Sequence, residues 1–413
     1  MAEPLTLEDL ERAVSGRAAA IRCRRTLEPA GGPGDKVFPP TYAGAKYALE
    51  RRRVRRNGTE EVVDCVLLDS VQSQANRIEE ALQNAVDRGV IQIPVIEVDF
   101  SVVDPTGNRE DDERQGRLLD PIGKVTSLQV PHRLADAILR DSLLNGVPFR
   151  ESEVGQAIDT ASTRNATPLY QLCPTALVLG MWDSTGPKGG LGAKFPRALV
   201  SEIVGIDATV IDFNRGIRRD PLGIRAAARV IKTSLRSWKV ADDPKAKEAI
   251  SPAEINHSNV PFGGKPEDNG GVTISYAEQT ITLSLVGLRR LRFPLNGRYD
   301  NRVDDAARTV LAALALCGAT LAAEEGYDLR SRCLLWPTGP MIWEVLDRPG
   351  ETPERFVLDA NSAVALFNAA VSRAESLGLS WRKEPLRLDP SPQLVDLVRT
   401  SQEIAATEGT EAE

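Results

Sequence analysis

The stretch Val303–Ala323 is the most apolar part of the chain, and it constrains everything around it. Asp304, Asp305 and Arg308 fall in its first turns; beyond them come Val310, Leu311, Leu314, Leu316 and a series of alanines. A helix that is apolar on every side must be covered on every side, so this segment is expected to be a buried core helix. No window reaches about 18 uninterrupted apolar residues, which argues against a membrane-spanning segment.

With 413 residues, 42% hydrophobic and 26% charged, the chain has ordinary globular usage. At roughly 150 residues per domain it would form two to three domains, or one elaborated domain. The opening MAEPLTLEDLERAV lacks the apolar centre of a secretory signal. The five cysteines, Cys23, Cys65, Cys173, Cys317 and Cys333, are scattered and form no CxxC, as expected of reduced structural thiols in a cytoplasmic protein. Only His132 and His257 are histidines. That leaves little material for a metal centre or a histidine-based acid/base mechanism, so neither a cofactor nor a metal is expected.

Along the chain, Arg17 to Glu28 has the partial alternation of a strand, and the Gly/Pro-rich segment from Pro29 to Pro40 that of a loop. Lys46 to Leu67 reads as a hairpin turning at Asn57-Gly58, a dipeptide suited to positive φ. Asp69 to Arg88 has an apolar stripe of Val71, Ala75, Ile78, Leu82 and Ala85, with Asp69 and Gln72 as a capping box and Gly89 at the C-terminal end. A strand is expected over Val90–Phe100, a polar loop over 104–127, and helices over Pro131–Asn145 and Glu151–Thr163. A strand over Thr175–Trp182 leads into a glycine-rich loop, Asp183–Lys194. After a Pro/Gly/Asn-rich stretch come strands at 272–276 and 280–288, a helix at 303–324, strands at 329–336 and 341–346, and a helix at 360–377. The acidic tail after Gln402 is expected to be disordered. Two βαβ-like halves separated by long insertions point to an α+β fold. Its helices would lie on one face of an antiparallel sheet, in a ferredoxin-like or RNA-recognition-motif-like arrangement.

Lysine and arginine total 51 against 58 acids, a net charge of −7. The charge is segregated: Arg12–Arg56 holds twelve basic and three acidic residues, Asn57–Glu113 three and fourteen, and Lys188–Lys239 eleven and four. The first basic block includes Arg22, Arg24 and Arg25 on a strand, and Arg51, Arg52 and Arg53 on a hairpin arm where neighbouring arginines cannot all find acids on one face. A solvated hairpin tip and a phosphate-binding surface are about equally good readings of that run. The second basic block includes Lys188, Lys194, Arg197, Arg215, Arg218 and Arg219. The glycine loop matches neither a Walker A loop nor a GxGxxG fingerprint, and a simple linker is its plainer reading. Aromatic residues are scarce and the base-stacking pattern of ordinary RNA-recognition motifs is absent. Any RNA would therefore be held through phosphates and sugars, without sequence preference. Trp182, at a strand end, is expected to lie in the core.

Four blocks, DSVQSQANRIEEAL (Asp69–Leu82), PHRLADAILRDS (Pro131–Ser142), PLYQLCPTALVLGMWDS (Pro168–Ser184) and GAKFPRALVSEIVGID (Gly192–Asp207), occur in an informative order. Together they resemble the RAMP-superfamily, Cas-seven-like backbone subunit of type I-G (formerly I-U) CRISPR effector complexes, over about Arg17 to Leu379. The resemblance implies a palm with finger and thumb insertions. Its first half would span 12–103, a mainly helical insertion 104–170, a strand, glycine loop and thumb-like insertion 171–271, the second palm half 272–379, and a C-terminal segment with acidic tail 380–413. It implies a non-catalytic protein, copies of which stack along CRISPR RNA beside other effector subunits, leaving bases free to pair with target DNA in antiviral defence. Related type III subunits use an acidic residue to cut target RNA; although aspartates abound here, none maps to it.

On this resemblance the first block offers Gln72, Ser73, Gln74, Asn76 and Arg77 to RNA, although Asn76 and Arg77 could equally brace the sheet. The second block offers His132 and Arg133 at a helix start, where a structural role is the plainer reading, and the fourth offers Lys194 and Arg197. Reversing Arg51, Arg52 and Arg53 to glutamate is expected to weaken RNA binding uniformly across sequences, unless the cluster is merely a solvated hairpin. The alternatives are a RAMP-type endoribonuclease processing precursor CRISPR RNA, with His132 as its general base, and a scaffold that binds no nucleic acid and assembles insensitively to salt.

Overall fold

The computed structural model describes residues 3–44, 46–56, 58–184, 192–211, 216–234, 237–257, 260–262 and 270–408. The chain forms two compact units, one of Met1–Phe100, Gly123–Thr209 and Val272–Ser391, the other of Ser101–Ile122, Val210–Gly271 and Pro392–Glu413.

In chain order, the main elements of the first unit are α1 (Leu7–Ser15), β1 (Ala20–Pro29), β2 (Leu49–Arg56), β3 (Thr59–Asp69) and α2 (Val71–Asp87). They continue with β4 (Leu199–Ile206), β5 (Tyr276–Ser284), α3 (Asn301–Glu325), β6 (Ile342–Leu346), β7 (Glu354–Val357) and α4 (Ala360–Ser376). These strands lie in a ten-stranded sheet ordered Glu3–Pro4, β7, β6, β1, β5, β4, β3, β2, with Tyr327–Asp328 and Leu334–Pro337 paired off this path. β5 is antiparallel to both β1 and β4, and β1 is antiparallel to β6. Hence β1 and β4 run parallel with β5 between them, and β5 and β6 run parallel with β1 between them. The result is two split βαβ units, β1–α2–β4 and β5–α3–β6, which is a ferredoxin-like topology within an α+β fold. The β2–β3 hairpin widens the sheet beyond β4.

Alternation sets which face is covered. Along β5, Ala277, Gln279, Ile281 and Leu283 are buried, while Tyr276, Glu278, Thr280 and Thr282 are only half-buried. α3 lies in the core, packed against α1, α2 and α4. By length and apolarity it could cross a membrane, but 89% of its apolar stretch is buried inside the protein, as a core helix requires. Gly318 permits its contact with α2: a Cβ there would stand 2.8 Å from Ile78 Cγ2 and 3.2 Å from Leu82. All five cysteines are buried and unbridged, and burial pushes the thiols of Cys23 and Cys333 up to about 11 and Cys317 to about 12.

Several local expectations are corrected. α2 is capped by Ser70, whose hydroxyl accepts from the Ser73 amide, whereas Asp69 ends β3 fully buried among other partners. The Val90–Phe100 strand shortens to Ile96–Asp99, and the expected loop at 104–127 contains the helix Arg109–Gln115 and the strand Lys124–Thr126. Pro131–Asn145 is not one helix but a 3₁₀ turn at Arg133–Ala135, a short helix at Ala137–Arg140 and a strand at Ser142–Leu144. Arg133 breaks the run by adopting φ +52°. Thr175–Val178 is helical, and only Met181–Trp182 is extended. A short helix, Leu285–Arg289, takes the end of the strand expected over 280–288. A helix spans Pro392–Glu408 and takes in the first part of the tail expected to be disordered after Gln402, whose residues 409–413 lie outside the described residues. The Gln402 carboxamide accepts from the Leu119 amide at 2.8 Å and donates to the Asp120 carbonyl at 3.0 Å. Residue Asn57 of the expected turn lies outside the described residues, but Arg56 pairs with Thr59 and Gly58 has φ +82°, as a two-residue turn demands.

Candidate nucleic-acid interface

The arginines singled out in the sequence fall into two environments. On the sheet they are paired. Arg22 and Arg24 leave β1 on the same face, where Arg22 Nε donates to Glu344 of β6 at 2.9 Å and Arg24 to Glu278 of β5 at 2.6 Å. Arg25 points to the other face and donates to the Tyr327 hydroxyl at 3.1 Å. On the hairpin, Arg51 stands 3.4 Å from Asp64, Arg53 stands 3.9 Å from Glu60, and Arg52 donates to Glu50 at 2.6 Å and to Glu202 at 2.8 Å. These three were not expected to find acids all on one face; each has an acid nearby, Arg51 and Arg53 on the facing arm and Arg52, which alternates with them, at Glu50 and Glu202. Antiparallel pairing brings the acidic arm, Glu60 to Asp64, alongside the basic one.

On α2, Gln74 and Arg77 are engaged in the core. Gln74 is buried; its amide nitrogen donates to Asp69 at 2.6 Å, and its amide oxygen accepts from Ser201 at 2.7 Å and Gln279 at 2.9 Å. Arg77 donates to Asp69 at 3.0 Å and to the Leu329 carbonyl at 2.6 Å. Ser73 is half-buried, whereas Gln72 and Asn76 are exposed. In the second unit, Arg218 ends the strand Gly216–Arg218 and Arg219 is exposed. Lys188 and Arg215 lie outside the described residues.

The remaining candidates converge. Met181–Trp182 pairs antiparallel with Lys194–Phe195 in a short stem on either side of the glycine-rich segment, of which residues 185–191 lie outside the described residues. Beside that stem is a cleft of about 520 Å³ lined by His132, Arg133, Trp182, Lys194 and Arg197 together with Pro131 and neighbouring backbone. His132, Lys194 and Arg197 are exposed. Neither Lys194 nor Arg197 has a hydrogen bond or ion pair with a carboxylate among the described residues. Lys194 Nζ instead sits over the Trp182 ring, 4.7 Å from its centroid.

Beneath them Arg133 is buried and forms a two-pronged ion pair with Glu79 of α2, at 2.6 and 2.8 Å, while donating to the Gly180 carbonyl at 2.9 Å. It thus ties α2 to the edge of the hairpin stem. Burial raises the Glu79 carboxyl above its ordinary range despite the attraction of Arg133. For Arg197, burial and then repulsion from Arg133 lower the pKa, with Glu79 opposing. Gly180, at φ +87°, leaves room for this crossing: a Cβ there would lie 2.9 Å from Arg197 Cγ and 3.2 Å from the Phe195 carbonyl. The cleft therefore offers two cations with no carboxylate hydrogen-bonded or ion-paired to them among the described residues, above a floor where Glu79 is held by Arg133, chemistry suited to a phosphate.

Trp182 was expected in the core but is 52% exposed. The two-residue strand explains the reversal, because Met181 points inward and its neighbour must then point outward. Glu79 and Gly180 were not recognised from sequence, since their importance comes from tertiary partners. Among the described residues, no group of three or more His, Cys, Asp or Glu side chains is arranged to hold a metal.

Over residues 21–210 the chain matches the family model for CRISPR-associated protein GSU0053. That span runs from β1 to the end of β4 and includes the whole cleft. No curated protein matches the chain. The match supports a CRISPR-associated protein.

Proposed function

We propose that the protein is a non-catalytic, CRISPR RNA-binding backbone subunit, similar to the Cas-seven-like RAMP subunit of type I-G effector complexes, acting in the cytoplasm. Copies of it stack along the guide RNA beside other effector subunits, and target DNA is recognised through guide pairing. The ferredoxin-like unit is the palm in this reading. The observation that carries it is the cleft beside the glycine-loop stem, where Lys194 and Arg197 stand without carboxylate partners inside the span matched by the CRISPR-associated family. Cations that hold phosphates fix the position of a strand but do not read its sequence. Such a surface leaves base edges free for pairing, as a guide carrier requires.

The test is to express the protein with a CRISPR repeat array and its neighbouring effector genes, then purify it. Co-purifying RNA of defined length, bound in a salt-sensitive manner, is expected. Recovery only as an RNA-free monomer overturns the proposal. His132 lines the same cleft, which gives the endoribonuclease reading its one specific observation. A RAMP-type nuclease would lose precursor cleavage in His132→Ala, whereas a backbone subunit leaves the RNA uncut in both forms.

A further inference from the structure

We infer that Trp182 is a stacking platform for a nucleobase, with Lys194 and Arg197 holding the flanking phosphate, so that the cleft takes single-stranded nucleic acid and not polyanions in general. The inference rests on the nucleic-acid reading above and deepens it.

Three observations carry it. Trp182 leaves about half its surface to solvent on a strand whose other residue, Met181, is buried. An indole held in this way has the apolar face that every base can use. It lines the same cleft as Lys194, Arg197 and His132, so the ring and the unpaired cations face one ligand volume. Lys194 Nζ lies over the ring, so a base that stacks on that face displaces the ammonium, which remains within reach of the phosphate that comes with the base. The stem is also well anchored. Trp182 pairs with Lys194, the Asp183 amide donates to the Ala193 carbonyl at 2.9 Å, and buried Asp183 accepts from Arg150 at 2.6 Å. The platform therefore needs little ordering when a ligand arrives.

Trp336 provides an internal contrast. It is more exposed, at 65%, yet it sits on a sheet strand opposite Glu28 and is not among the residues that line the cleft of Lys194 and Arg197.

The experiment uses nucleic-acid-free, full-length protein and two probes: single-stranded poly(rA), and inorganic polyphosphate, which carries charge without bases. Trp182→Ala is expected to weaken poly(rA) binding roughly tenfold while leaving polyphosphate affinity and the salt dependence unchanged. Trp182→Phe, which keeps a ring, should retain most of the affinity but lose the poly(rA)-induced quenching of tryptophan fluorescence. Trp336→Ala should alter neither. Unchanged poly(rA) affinity in Trp182→Ala, or an equal loss for both probes, overturns the stacking role and leaves the RNA-backbone reading intact. Failure of the wild-type protein to bind poly(rA) overturns both.

Discussion

The sheet and the cleft use the same residue types to opposite effect. On the sheet, Arg22 and Arg24 each meet a glutamate on an adjacent strand, Arg52 meets Glu50 of its own strand and Glu202 of β4, and the hairpin sets a basic arm against an acidic one. In the cleft, Glu79, the carboxylate whose charge is felt by Arg197, is already bound to Arg133. Local charge density along a sequence therefore says little about free positive charge on the folded surface. What matters is whether the neighbouring strand delivers an acid at the same register.

The largest expected effect concerns the pair beneath the cleft. Glu79→Ala leaves the buried Arg133 uncompensated and should cost about 3–5 kcal/mol in urea unfolding. Because burial raises the carboxyl of Glu79 in the folded state, its titration contributes stability that is fully present below its unfolded pKa, about 4.5, and is lost as pH rises through the raised value. Glu79→Gln should remove that part of the pH dependence, measured as urea midpoints across the acid range.

Next in size is charge reversal in the cleft. Lys194→Glu with Arg197→Glu should lower single-stranded RNA affinity roughly hundredfold and reduce the salt slope by about 1.4, the share of two phosphate contacts. Arg51→Gln, Arg52→Gln and Arg53→Gln together should change affinity by less than about threefold, because exposed paired charges contribute little. A loss on the hairpin as large as that in the cleft would break the comparison. On the sheet face the effect runs the other way: Glu278→Gln or Glu344→Gln frees Arg24 or Arg22 and should raise RNA affinity by about twofold at low salt. No gain would mean that the sheet face lies outside the RNA path.

Much of the scaffold was legible because it follows from periodicity. The stripe of Ala75, Ile78, Leu82 and Ala85 defines α2, the two-residue turn defines the hairpin, and the alanine-leucine run defines α3. The cleft was legible only in part. Lys194, Arg197, His132 and Arg133 could be named, but their convergence depends on tertiary structure. The failures have physical causes. Arg133 takes a left-handed backbone conformation that no helix-period pattern anticipates. An apolar run such as Thr175–Trp182 does not distinguish a buried helix from a strand. The acids that silence Arg24 and Arg22 lie 254 and 322 positions away, so their pairing depends on a register that sequence alone does not reveal.

Gly318 makes α2 and α3 meet without a spacer, because the side chains of Ile78 and Leu82 occupy the place of its missing methyl. The residue after Ile78 is Glu79, which anchors Arg133 and through it the Gly180 carbonyl. The cleft's floor is thus levelled by a helix crossing in the protein's interior. Adding one methyl group at Gly318 would act as a shim, and its thickness would reappear as a misalignment at the mouth of the cleft.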